Sequence, residues 1–215
     1  WNADSRTRID MGGDADRTVT NQRATIGATW GGSDWGIHVS SDLNYMLGDA
    51  SEASMDIYEA HASADLMGYA SLTAGRQALS YGSGALMSGR DWGTDRTTWD
   101  GLTFGLNLDM ADVTIGYANM NHETMTGGED YGNMHMNVGG EFSGWNVNLL
   151  WMNKTEAGED AGDAATGIDI SGNVAGAGIS ASLNSDHEGD EMRVIGLTYA
   201  VNDDMGVNVS QTVYG

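Results

Sequence analysis

Hydrophobic and polar residues alternate along this chain with a period of two, over stretches longer than most soluble strands. From Trp35 to Leu47, the residues Trp35, Ile37, Val39, Leu43, Tyr45 and Leu47 fall on one side of an extended chain. Gly36, His38, Ser40, Asp42 and Asn44 fall on the other, and Ser41 is the exception on the apolar side. Alternation of this kind is the signature of a strand whose two faces meet different surroundings. It recurs with Tyr58, Ala60, Ala62, Ala64 and Leu66 against Glu59, His61, Ser63 and Asp65, and with Leu102, Phe104, Leu106 and Leu108 against Thr103, Gly105 and Asn107. Further on, Val113, Ile115 and Tyr117 oppose Thr114 and Gly116, while Met134, Met136, Val138 and Phe142 oppose Asn133, His135, Asn137 and Glu141. Trp145, Val147, Leu149 and Trp151 form another apolar face, and Ile195, Leu197, Tyr199, Val201, Val207, Val209 and Val213 close the series.

The links between these segments alternate in length. Short links are expected at 31–34, 68–69, 109–112, 143–144, 177–178 and 202–205, and longer ones at 48–55, 78–98, 122–130, 154–166 and 185–191. Short turns on one rim and long loops on the other are the pattern of an up-and-down transmembrane β-barrel. The acidic residues Glu129, Asp130, Glu156, Glu159, Asp160, Asp163, Asp186, Glu188, Asp190 and Glu191 collect in the long links. Trp30, Trp35, Tyr45, Tyr58, Trp99, Trp145 and Trp151 stand near strand ends, where an interfacial aromatic girdle is expected.

Counting from a first strand near Arg6 to Met11 gives about 13 antiparallel strands in one domain spanning residues 1–215. Bacterial single-chain barrels have even strand numbers, so the odd count predicts a further descending strand after Gly215 and roughly 14 to 18 strands in the complete chain. A miscounted weak segment, the first strand above all, is the alternative.

Composition narrows the picture. No window holds the roughly 18 to 20 consecutive apolar residues of a spanning helix, and the mean hydropathy is -0.35. The 215 residues contain no cysteine, which excludes disulfides and thiolate metal sites, and no proline, which suits a backbone committed to strand ladders. Lys and Arg number 9 against 31 Asp and Glu, a net charge of -22 that repels nucleic-acid backbones. Cations are the more natural clients of such a surface; solubility in salty water, or a lipopolysaccharide layer bridged by divalent ions, explains the charge equally well.

The run Gly75-Arg76-Gln77-Ala78-Leu79-Ser80-Tyr81-Gly82, then Ser88-Gly89-Arg90-Asp91-Trp92 and Arg96-Thr97-Thr98-Trp99-Asp100-Gly101, resembles the alginate-export-like porins of outer membranes. Asn21-Gln22-Arg23 and Ile57-Tyr58-Glu59-Ala60 are further landmarks of the resemblance, which spans Asn21 to Asp100. It implies a barrel in the outer membrane of a Gram-negative bacterium that passes small polar or charged solutes by diffusion. The chain departs from that family in its acidity and its few basic residues, so a polyanionic cargo is not implied.

Within such a barrel the polar faces line the lumen, where opposed charges select solutes. The expected pore-lining or constriction residues are His38, Asp42, Glu59, His61, Arg76, Gln77, Arg90, Asp91, Arg96 and Asp100. Arg76, Arg90 and Arg96, beside Asp91, Asp95 and Asp100, are expected either to pin the 78–98 link against the inner wall as a constriction loop or to neutralise lumen carboxylates. One conflict stands out: Arg76 shares its strand parity with Leu72 and Ala74, and Asp100 shares that of Leu102. Either a bulge at Gly75 or Gly101 intervenes, or the two lie beyond the membrane.

His38, His61 and His135 sit on different strands without paired ligand spacing, so no metal site and no cofactor is expected beyond Ca²⁺ held loosely at acidic outer loops. No Gly-x-Ser-x-Gly elbow, P-loop or dinucleotide fingerprint occurs, and no enzymatic activity is expected. Lipid, lipopolysaccharide and small polar solutes are the expected partners, with homo-oligomerisation or a larger envelope assembly open and nucleic acid excluded. Two rival readings remain at this point: a surface or structural outer-membrane barrel without an open pore, and a soluble β-sandwich binding carbohydrate through its tryptophans.

Overall fold

The computed structural model describes residues 1–10, 19–89, 96–121, 132–155, 163–202 and 205–215. Thirteen strands run through them: β1 Asn2–Asp10, β2 Val19–Gly31, β3 Trp35–Met46, β4 Asp49–Leu66, β5 Ala70–Gln77, β6 Thr98–Leu108 and β7 Ala111–Asn121. The series continues with β8 Gly132–Phe142, β9 Trp145–Thr155, β10 Ala165–Val174, β11 Ala177–Ser185, β12 Glu191–Asn202 and β13 Met205–Tyr214. All belong to one antiparallel sheet in which sequence neighbours are sheet neighbours from β1 to β13. The sheet does not close, and β1 and β13 are its two edges. The expectation of about 13 antiparallel strands is met, and no helix among the described residues is long and apolar enough to cross a membrane.

Three of the short turns place two successive residues at positive φ, the second a glycine: Met67-Gly68, Ser143-Gly144 and Ala175-Gly176. That mirror-image turn matches the right-handed twist of the strands it joins. The expected turn at 177–178 falls instead at Ala175-Gly176, because Val-Ala-Gly-Ala-Gly offers the chain two equivalent places to reverse and the register of β10 on β11 selects the earlier. A second correction concerns the long link expected at 48–55. The chain reverses at Leu47-Gly48, and β4 starts at Asp49 and runs for 18 residues. Its first residues are polar in both parities, so they carry no alternation to read, yet they still pair with β3.

Burial is inverted relative to a soluble sheet. Ile26, Ile37, Leu102, Ile115, Leu149, Ile168, Leu183, Ile195 and Val209 are exposed on one face, Ile195 to 65%. On the other face Arg23, Thr25, Ser40, Asp42, Gln77, Thr103, Asn133, His135, Asn137, Ser182 and Asn184 are buried. The apolar outer face fits hydrocarbon, where a ladder leaves no backbone group unsatisfied except at its edges. Trp30, Trp35, Tyr45, Trp145 and Trp151 lie on that face towards its two rims. Trp99 and Tyr58 do not; both turn inward and are buried.

Tyr58 turns because of a bulge. Ser40 pairs with Glu59 while Ser41 pairs with Ile57, which leaves Tyr58 without an opposite residue. A bulge presents two successive residues to the same face, and here both Tyr58 and Glu59 point inward. Past it the parity of β4 changes, so Asp56 and Ser54 face inward with Asp42 and Asn44.

Between β5 and β6, residues 78–89 and 96–97 fold onto the inner face. Met87, fully buried, packs with Trp99 of β6, Ala118 of β7, Leu150 and Met152 of β9 and Ala165 of β10, with Leu79, Tyr81 and Leu86 around it. One small cluster reaches five strands' worth of wall only if the inner face is concave. The neck of the segment is held by Thr97 N-H on the Gly89 carbonyl, 3.1 Å, and its turn by Tyr81 N-H on the Met87 carbonyl, 3.2 Å.

The inverted faces predict a contrast within β12. Leu197→Arg, outward, should destabilise the protein folded into lipid vesicles by about 2–4 kcal/mol, and Thr198→Arg, one residue on and inward, by less than about 1 kcal/mol. Urea titration of the vesicle-bound protein measures both.

Candidate functional site

The register of the first four strands stacks inner-face side chains into rows. Arg6, Arg23, Asn44 and Ser54 form one row, Asp4, Thr25, Asp42 and Asp56 the next, and Gly27, Ser40 and Glu59 the third. A fourth row runs Thr29, His38, His61, Gly75, Gly101, Ala118, Asn133, Lys154. Opposite charges thus lie in adjacent rows of one wall, with Arg8 on the same face of β1.

Arg96, from the inserted segment, docks on the second row. Its Nε donates to Asp42 Oδ2 at 2.8 Å, and one terminal nitrogen donates both to Asp42 Oδ1 and to Thr25 Oγ1, the latter at 2.9 Å. Thr25 Oγ1 in turn donates to Asp42 Oδ1 at 2.6 Å. The guanidinium lies 3.1 Å above the Tyr58 ring, so the bulge that turns Tyr58 inward builds half of the arginine's seat. Both charged side chains of the pair are almost wholly buried, at 7% and 5% exposure. A planar guanidinium meets the two carboxylate oxygens and the aromatic face at once, which an ammonium cannot do.

Glu59 holds the other end of the segment. Its Oε1 accepts from the Ala78 N-H at 3.2 Å. His38 and His61 face each other across β3 and β4 with rings stacked at 5.4 Å, and each Nε2 lies 3.7–3.8 Å from Glu59. His38 Nδ1 pairs with Thr29 Oγ1 at 2.8 Å. The two histidines are therefore direct cross-strand neighbours, which sequence spacing did not reveal. Among the described residues no group of three His, Asp or Glu is arranged to hold a metal ion.

Gln77 points inward, donates to the Gly75 and Gly101 carbonyls, and accepts from Thr103 Oγ1 at 2.9 Å. Arg76 and Asp100 point the other way. They are register partners, joined by two bonds of 2.8 and 2.9 Å, with a third from Arg76 to the Ile57 carbonyl at 3.1 Å. They share the outer face with Ala60, Ala74 and Leu102, at the long-loop ends of β5 and β6. No register shift occurs at Gly75 or Gly101, so the expectation of a lumen position for Arg76 and Asp100 is corrected: both keep the outward parity of Ala74 and Leu102. Arg90 and Asp91 lie outside the described residues, as do Asp95, Glu129, Asp130, Glu156, Glu159 and Asp160.

The far end of the segment reaches the opposite part of the wall. Ser182 Oγ of β11 donates to Ser83 Oγ at 3.1 Å, and Tyr81 lies against the His135 ring of β8 at 5.6 Å. Burial raises the Tyr81 phenol above its ordinary value. Residues missing from the expected set are Arg6, Arg23, Tyr58 and Asp56. The first two carried a usable signal, since Arg6 alternates with Ser5 and Thr7 and Arg23 alternates with Ala24 and Gln22. For Tyr58 and Asp56 the signal was a switch of the apolar positions, from Met55 and Ile57 to Ala60 and Ala62, which marks the bulge.

No protein-family model and no curated protein matches the chain, so the resemblance to alginate-export-like porins has no counterpart there. Among solved structures the chain is similar to the following three. A mutant of Rh. blastica porin is 9% identical with a TM-score of 0.49, over 98% of this chain and 94% of that one. Acinetobacter baumannii OccAB4 is 12% identical at 0.48, over 97% and 80%. Salmonella typhi OmpF in complex with daunomycin is 12% identical at 0.43, over 98% and 87%. All three TM-scores lie below 0.5, and the functional reading rests on the residues themselves.

The buried pair predicts a non-additive cycle. Asp42→Ala, which strands the Arg96 charge, should cost about 3–5 kcal/mol, and the double change Asp42→Ala with Arg96→Met should cost less than that single change. Unfolding in detergent by guanidinium, followed by loss of sheet circular dichroism, measures the cycle.

Proposed function

We propose that the chain is a β-barrel porin of a Gram-negative outer membrane, passing small polar or charged solutes by diffusion through a lumen narrowed by the segment between β5 and β6. The observation that carries this reading is the inverted surface together with the docked segment. A sheet with an apolar outside, a charged inside, and a chain segment anchored by Arg96 on β2–β3 and by Ser83 on β11 is built to hold a constriction. In this reading solutes pass between a wall bearing Arg6, Arg8 and Arg23 and a wall of amides, hydroxyls and carboxylates. Opposed charges across a narrow lumen orient dipolar solutes and weight ion passage. Within this reading His38, Asp42, Glu59, His61, Gln77 and Arg96 belong to the constriction, and Arg76 with Asp100 staples the outer rim. Lipid meets the apolar belt, and the long-loop rim meets lipopolysaccharide. The sequence motif from Gly75 to Asp100, which resembles the alginate-export-like porins, coincides with the inserted segment and its two flanking strands; this supports that subtype as the finer assignment.

Single-channel recording of the full-length protein in a planar bilayer under a salt gradient tests the reading. Discrete steps with cation preference are expected. A protein that inserts and stays silent overturns it in favour of a barrel without an open pore. Arg8→Gln with Arg23→Gln should raise the cation preference at least twofold, whereas Arg76→Gln, outside the lumen, should leave the reversal potential unchanged.

A further inference from the structure

Beneath the tip of the inserted segment lies a cavity of about 850 Å³, between Gly82–Ala85 and the inner wall of β7 to β12. One register row crosses its floor: Asp112, Gly139, Asn148, Asp169, Ser182, Val194. The adjacent row brings Glu141 opposite Asn146, and Met192 supplies an apolar side. No described lysine or arginine lines the cavity. The described basic side chains of the inner face stand elsewhere, on β1, β2 and the Arg96 end of the segment, with Lys154 in the fourth row towards the long-loop rim. Asp169 Oδ1 is shut off from solvent and has no hydrogen-bond partner among the described residues. The roof comes so close that a side chain at position 82, where φ is +57°, would fall on Asp169 and Asn148.

We propose that this cavity is a transit site for small organic cations, in which an ammonium or guanidinium head is passed between Asp112, Glu141 and Asp169 while its apolar chain lies on Met192 and Val194. The inference rests on the pore reading and names a substrate class for it. Spacing separates an organic cation from a metal ion. Asp112 and Asp169 are three strands apart along one row, roughly 14 Å at about 4.8 Å per strand. Oxygen ligands that share one metal ion each stand about 2.3–2.6 Å from it, so these carboxylates cannot converge on one. Successive single contacts with a mobile head group remain available to them. The amides of Asn146 and Asn148 and the Ser182 hydroxyl add acceptors for its N-H bonds, and with no counter-cation beside the row among the described residues its charge is left for the solute to neutralise.

The test uses the full-length protein with butylamine and putrescine as probes. In a bilayer carrying KCl current, both are expected to interrupt the current in a concentration-dependent way, putrescine for longer. The triple variant Asp112→Asn, Glu141→Gln, Asp169→Asn should shorten the interruptions at least tenfold, about the effect of losing one charge-assisted contact. Glu188→Gln, in the exposed link between β11 and β12, should leave them as they are. Interruptions of equal length in wild type and triple variant overturn the proposal, as does an open channel that neither amine interrupts; in both cases the pore reading survives. Calorimetric titration of putrescine into the detergent-held protein separates the remaining cases. Heat lost in the triple variant, with no current in any bilayer, keeps the cation site and removes the pore; neither heat nor current removes both.

Discussion

A strand sends alternate side chains to opposite faces, and twelve successive antiparallel pairings carry that alternation in step from β1 to β13. Everything else in the molecule depends on this parity. It puts aliphatic side chains in one uninterrupted outer surface and collects arginines, carboxylates, histidines and amides on the inner one. A slip of a single residue in any pairing would exchange the two surfaces beyond it. The one bulge within the wall that changes a functional face, at Tyr58, is placed where an exchange is useful. It delivers Tyr58 and Glu59 to the same side and so creates both the aromatic floor under Arg96 and the acceptor for the Ala78 N-H.

The inserted segment is held by two kinds of force at its two ends. At β2 and β3 the hold is electrostatic and nearly free of water, so the low local dielectric strengthens each bond and penalises any partner left alone. At β6 to β10 the hold is apolar, through Met87 and Trp99, on a patch of inner wall that interrupts the otherwise polar lining. That patch also buries the His135 ring nitrogens, Trp99 Nε1 and Asn133 Oδ1 without hydrogen-bond partners among the described residues. Each such group costs free energy, offset by the packing of the segment above it. Glycines set how near the layers come: Gly82 lets the tip touch Asp169 and Asn148, and Gly101 lets β6 lie against Ala118.

The inner face is electrically divided as a result. Arginines occupy β1, β2 and the docked end of the segment, with Arg6 paired to Asp4 and Arg96 to Asp42. From β7 to β12 on the short-turn side, carboxylates stand with amides and hydroxyls instead. A net charge of -22 therefore says little by itself; what matters is that four of the described inner-face cations, Arg6, Arg8, Arg23 and Arg96, stand on one wall.

Strand number, strand order and the face each side chain takes were legible in the sequence wherever alternation was unbroken, because the period of two is a local property of an extended backbone. Leu102, Thr103 and Phe104, or Met134, His135 and Met136, declare their faces without any knowledge of their neighbours. The parity of Arg76 and Asp100 was legible in the same way, but the expectation of a pore-lining position set it aside by allowing a bulge at Gly75 or Gly101, where the register shows none. Only the tertiary structure could decide what lies opposite what. The bulge at Tyr58 shows in the sequence only as a switch of the apolar positions from Met55 and Ile57 to Ala60, Ala62 and Ala64, which does not say where Tyr58 itself points. The meetings of His38 with His61, of Arg96 with Asp42 and of Asp169 with the segment tip join residues up to 87 positions apart. Such encounters depend on register and on the curvature of the whole sheet, which no local pattern encodes.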